Sequence, residues 1–137
     1  MLVVALIATL SALTVPLYVG MRERAQIAKA VGDITILDAE IGMFQFTNIR
    51  LPVDLAEIGR ATLKDPWDNP DEYLNFSDAV KKAKARKDHS LHPLNSTYDL
   101  YSKGKDGDSQ SPLTAPASRD DIIRANDGGY IGVASGY

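Results

Sequence analysis

Four aspartates form the densest chemical constellation in the chain: Asp106 and Asp108 flank Gly107, and Asp120-Asp121 follow after a loop. Carboxylates together with turn carbonyls are the oxygen ligands that a hard cation such as calcium gathers, six to eight at a time. Neither half of this set supplies that number alone, and Lys103-Gly-Lys-Asp-Gly-Asp108 is not an EF-hand loop. Spacing therefore leaves two readings open. One is a cation site drawing on both halves; the other is an acidic surface turn in which Asp120 caps a short helix. A glycosidase-like carboxylate pair drawn from the same residues would need one carboxyl raised by burial, and the surrounding glycines, serines and lysines argue against that.

The remaining polar chemistry is thinner. His89 and His92 stand three apart, as a metal pair would, but only Asp88 is near as a third ligand, so they read as solvated loop histidines. Lys81, Lys82, Lys84, Arg86 and Lys87 form a basic run without interleaved aromatics, the mark of a solvated face. The downstream serines have no histidine and carboxylate in a defensible triad order, and glycine-rich phosphate motifs are absent. The chain has no cysteine, which rules out disulfides, thiolate metal sites and thiol nucleophiles. A net charge of −3 gives no electrostatic drive toward nucleic acid. No catalytic residue is expected.

These residues must be positioned by a chain of 137 residues, enough for one core. Its first charged side chain is Arg22, and Met1 to Met21 is apolar or weakly polar. A helix of about 20 such residues rises about 30 Å and spans a bilayer's hydrocarbon core. The segment lacks the basic start and cleavage site of a secretory signal. Pro16 removes one amide donor, so a kink or local loosening is expected there. From Leu17 to about Asn48 the helix turns amphipathic, with Ile27, Val31, Ile34, Leu37, Ile41 and Phe44 in a core-facing stripe and Ile36 and Met43 nearly opposite. Leu51-Pro52 ends it.

Short elements follow. Val53 to Leu63 can hold a short helix, and a proline-punctuated turn, 64–71, presents Trp67, which is expected to pack over the edge of its own core. Tyr73 to Phe76 and Tyr98 to Ser102 read as strands, the second running into the turn at 104–108. Asp78 to Lys87 reads as helix or solvated loop, with Ser77 as a cap. Gln110 to Ser118 is a polar loop, Arg119 to Ala125 is expected to form one or two helical turns, and Tyr130 to Val133 a final strand. The order predicts an α+β fold, one long N-terminal helix packed on a small antiparallel sheet.

Three stretches resemble the type IV pilin-like family. MLVVALIATLSALTVP at 1–16 resembles the transmembrane part of the pilin and pseudopilin signature. DPWDNPDEYLNF at 65–76 resembles the DPWGNPYxYLNP block of major pseudopilins of type II secretion systems, and YDLYSKGKDG at 98–107 their YDLYSLGADG block. The tail departs from the family, since SQSPLTAPASRDDIIRANDGGYIG replaces a short acidic loop. The family's mature chain begins with Phe and carries a Glu soon after. Counting back from Pro16 puts that Glu just before Met1, so either the chain begins inside the signature, with the processing and N-methylation site in preceding residues, or the protein lacks that Glu and the site; the first is the expectation.

The resemblance implies a pilin-like fold and a structural subunit, not an enzyme. Residues 1–21 would be the transmembrane and filament-core segment, and residues 22–137 a periplasmic or filament-surface domain. Implied partners are further copies in a helical filament, minor pseudopilins and an inner-membrane assembly platform, with prepilin peptidase if residues before Met1 carry its site. In major pseudopilins the corresponding loop binds calcium. By position this implies Asp106, Asp120 and Asp121 as side-chain ligands, with the carbonyls of Lys103 and Asp108 as further ligands. Two alternatives come from neighbouring classes: a surface type IV pilus subunit, and a membrane-anchored module whose acidic loop or basic run captures a soluble ligand.

Overall fold

The computed structural model describes residues 2–137, with the Leu13 side chain outside the description; Met1 of the expected 1–21 segment also lies outside it. Helix α1, Leu2–Asn48, is followed by a short 3-10 turn at Leu55–Ile58, strand β1 (Glu72–Asn75), helix α2 (Ala79–Ala83), and strands β2 (Tyr98–Ser102), β3 (Ile122–Ala125) and β4 (Tyr130–Val133). The strands form an antiparallel meander in the order β1-β2-β3-β4. This is the α+β architecture, one long helix packed on a small antiparallel sheet, that the order of elements predicts.

The periodic stripe of α1 does what its spacing dictates. Residues three and four apart share one helix face, and Ala30, Ile34, Leu37 and Ile41 are buried there against Tyr98, Leu100 and Ile122, with Ile27 and Val31 packed at the edge. Phe44, the last member of the predicted stripe, is only half-buried and lies under the Arg50 guanidinium, 5.1 Å from the ring centroid. Trp67 is half-buried and packs against the same core, as expected of it. Ile36 and Met43 are exposed, as are Leu2 to Met21 wherever their side chains are described.

Helix α1 is helical on both sides of Pro16. Thr9 and Thr14 turn their hydroxyls back to carbonyls one turn earlier, so these polar groups are satisfied within α1 itself. Three expectations are corrected. The cap of α2 is Asp78, not Ser77: its carboxylate accepts the Lys81 amide at 2.7 Å. The second correction replaces the helical turns expected across Arg119 to Ala125 with strand β3. The third follows from it, for Asp120 caps no helix and instead sits just before β3. Successive strand residues face opposite sides of a sheet. Ile122 enters the core beneath α1, and Ile123 enters a second cluster with Leu94, Leu113, Ala125 and Ala134 on the other face. Because both faces are covered, the polar alternation that marks a half-exposed strand never appears in Asp-Ile-Ile-Arg-Ala.

Emptying the helix–sheet seam tests this assignment. Leu37→Ala is expected to cost about 2–5 kcal/mol, whereas Ile36→Ala on the exposed face should fall within about 0.5 kcal/mol of wild type. Urea unfolding of the detergent-solubilised chain, followed by fluorescence of its single tryptophan, reads both; equal losses would contradict the seam.

Candidate functional site

Two regions carry the candidate residues, the uncovered half of α1 and the loops at the end of the domain where that half emerges. From Leu2 to Met21 the described large apolar side chains, including Val3, Leu6, Leu10 and Leu17, are exposed. This helix is long and apolar enough to cross a membrane by length and composition. At its junction with the domain, Gln26 donates to the Pro66 carbonyl at 3.3 Å, and the Lys105 ammonium lies 3.4 Å from Glu23.

The turn at 64–71 is organised by Asp65. Its buried carboxylate accepts the Trp67 and Asn69 amides, both at 2.9 Å, and the Ser102 hydroxyl at 2.6 Å. Asn69 in turn donates to the Gly104 carbonyl at 3.0 Å. Gly104 takes a left-handed φ of 65°, and a Cβ there would run into the Asp120 backbone carbonyl, so only glycine allows the two halves of the acidic loop to close. Asp71, next in the block, is 8% exposed, and one of its carboxylate oxygens finds no partner among the described residues. Burial first, then the negative charges of Asp65, Asp33 and Glu72, push it up to about 7 against the opposing pull of Lys29.

The residues expected to hold calcium divide between three settings. Asp120 accepts the Asp106 amide at 3.0 Å, and Asp106 accepts the Asp108 amide at 2.8 Å, so these side chains stitch the exposed turn together. Lys103, expected to offer its carbonyl, pairs its ammonium with Glu72 at 2.7 Å, a contact that does not involve that carbonyl. Asp121 is fully buried elsewhere. One of its oxygens, Oδ2, accepts the Arg86 guanidinium and the Ser109 hydroxyl, each at 2.6 Å, while Oδ1 is unpartnered among the described residues. Burial raises Asp121 to about 6, against the stabilising bonds from Ser109 and Arg86.

As arranged, the side chains of this set do not gather around a hard cation. Asp121 already holds a buried positive charge, which would repel a second one in a low-dielectric interior, and among the described residues no three acidic or histidine side chains converge on one point. His89 reaches its neighbour Asp88 at 2.8 Å and is exposed, matching the solvated-loop reading. The basic run is not uniform: Lys82 and Lys84 are exposed, but Arg86 is buried. Reading charge alone missed Arg86, Ser109 and Asp99. The available signal was the alternation of Ala83, Ala85 and Arg86 with lysines, which interrupts the solvated pattern.

Similarity to known proteins extends over most of the chain. The chain is 31% identical over 132 residues to the type II secretion system core protein G of Dickeya chrysanthemi, covering 93% of this chain and 82% of that protein. It is 29% identical over 126 residues to the type II secretion system core protein G of Klebsiella pneumoniae, covering 89% of this chain and 86% of that one. No protein-family model matches the chain, and no solved structure matches it.

Asp71 makes stability depend on pH. A carboxyl held at about 7 in the folded chain, against an ordinary 3.8, binds its proton more tightly folded than unfolded, so stability falls as pH rises between these values. Asp71→Asn is expected to stabilise the protein at pH 8 by about 2–4 kcal/mol, with the gain shrinking toward pH 4. Thermal unfolding across that range checks it; a variant less stable than wild type at pH 8 would contradict the burial argument.

Proposed function

The chain belongs to the type II secretion system core protein G family of pseudopilins, and from that membership we propose that it is the repeating structural subunit of a secretion filament, anchored in the inner membrane before assembly. The observation that carries this reading is the uncovered, uncharged half of α1 projecting from a folded domain. Residues 1–21 act as the membrane segment and then as the filament core, and residues 22–137 form the periplasmic domain that becomes the filament's outer wall. On extraction from lipid, neighbouring helices replace the lipid contacts of this segment. The same apolar surface left in water would cost about 25 cal/mol per Å², so the subunit passes from one apolar environment to another. The exposed Ile36 and Met43 extend the contact surface for further copies beyond residue 21.

The role is structural and needs no catalytic group. Minor pseudopilins and an inner-membrane assembly platform are the partners, and prepilin peptidase acts if residues before Met1 carry its site. A lone charge within the apolar segment is expensive both in lipid and in a helix bundle.

Deletion of the gene is expected to leave normally secreted proteins in the periplasm, with secretion restored by the wild-type chain but not by Leu6→Lys. Electron microscopy of overexpressing cells should show fibres with the wild-type chain and none with the variant, provided membrane fractionation finds the variant inserted. Normal fibres and secretion from an inserted Leu6→Lys chain would overturn the central-bundle arrangement.

A further inference from the structure

The buried end of the C-terminal loop contains a cation of the protein's own. Arg86 is 4% exposed and Asp121 is 0% exposed. The guanidinium donates to Asp121 Oδ2 at 2.6 Å and to the Ser109 hydroxyl at 2.5 Å, and that hydroxyl donates to the same carboxylate oxygen. The guanidinium also lies over the Tyr101 ring, 4.2 Å from its centroid, in the stacked geometry that favours arginine over lysine. Its backbone is fixed as well, because the Arg86 amide donates to Asp99 Oδ2 at 2.6 Å.

The tie extends along the loop. The Lys87 amide donates to the Ser111 carbonyl at 3.0 Å, and the Leu113 amide to the Lys87 carbonyl at 2.9 Å. Leu113 then packs with Leu94 and Ile123 behind the sheet. Arg86 and Lys87 thus hold the loop at Ser109, Ser111, Leu113 and Asp121, across the stretch where a clip is needed in a chain without cysteine. A divalent ion at Asp121 would have to sit beside this guanidinium.

We propose that the Arg86 guanidinium takes the place of a bound divalent cation in this chain, neutralising Asp121 and closing the 103–121 loop onto the sheet, so that the loop is ordered without calcium. The inference concerns the domain alone and stands or falls independently of filament assembly. Removing one partner of a buried ion pair leaves an uncompensated charge and is strongly destabilising, whereas removing both is far milder.

The test uses the full chain in detergent, with calcium chloride at millimolar concentration or excess chelator as the only additions. Wild type is expected to unfold at the same temperature in both, to resist proteolysis within 103–121 in both, and to give no heat of calcium binding by calorimetry. Arg86→Met should unfold about 10 °C lower or more and be cleaved within the loop, and Arg86→Met with Asp121→Leu should recover much of that loss. Should Arg86→Met fail to fold, Arg86→Lys, which keeps the charge, should stay insensitive to chelator with a smaller loss. Calcium-dependent melting of the wild type, or a binding heat that Asp121→Asn removes, would overturn the proposal. So would an Arg86→Met chain as stable and protease-resistant as wild type.

Discussion

The seam at which Ile34, Leu37 and Ile41 of α1 meet Tyr98, Leu100 and Ile122 governs the rest of the molecule. A helix of 47 residues is about 70 Å long, and a sheet of four short strands can cover only part of it. The sequence places its apolar residues accordingly. After Met21 most of them fall on one stripe, with Ile36 and Met43 outside it, so the helix can be half-solvated there; before Met21 they surround the helix, and no face can meet water without cost. The domain therefore completes its own core and leaves the other half of α1 to a different apolar environment.

Several buried polar groups of the small domain are paired in one network. Asp38 on α1 accepts both the Tyr98 hydroxyl, at 2.5 Å, and the Arg124 guanidinium, which lies over the Tyr98 ring at 4.1 Å from its centroid. Arg124 also donates to Asn95 at 3.2 Å, whose amide donates to Asp99 at 2.9 Å. Asp99 accepts the Arg86 amide, and Arg86 meets Asp121. A continuous chain of hydrogen bonds thus runs from the helix through the sheet to the C-terminal loop. Ion pairs of this kind contribute little net stability because desolvation offsets their attraction. Their consequence is that an alternative packing of the loop would strand a buried charge.

What was legible in the sequence follows from which forces act locally. The helix stripe could be read from its period, and the strand at Tyr98–Ser102 from its aromatic composition and apolar–polar alternation, although it too is buried on both faces. Strand β3 could not: Ile122 and Ile123 are buried on opposite faces, and a segment buried on both sides carries no period. Asp78 displaced Ser77 as the cap through a shift of one residue, within the ordinary uncertainty of helix ends. Of the acidic constellation, composition showed the residues but not their separation. Asp106 and Asp120 do meet in the exposed turn, while Asp121, adjacent in sequence, points to Arg86, 35 residues away. That partner was hidden within a run of lysines, since charge counting treats a buried arginine and a solvated one alike.

The two motif blocks share one place in the fold. The turn at 64–71 and the loop after β2 are joined by Asp65 to Ser102 and by Asn69 to Gly104. Each also touches α1, through Pro66 to Gln26 and Lys105 to Glu23. Both contacts fall within the first residues after the uncharged segment ends at Met21. The blocks therefore brace the helix where it leaves the domain, and a rigid helix transmits its direction along its whole length. Any loosening of the 103–121 loop would act first on Lys105 and Gly104, hence on this brace. The order of this loop thereby bears on the angle at which the uncovered half meets its neighbours.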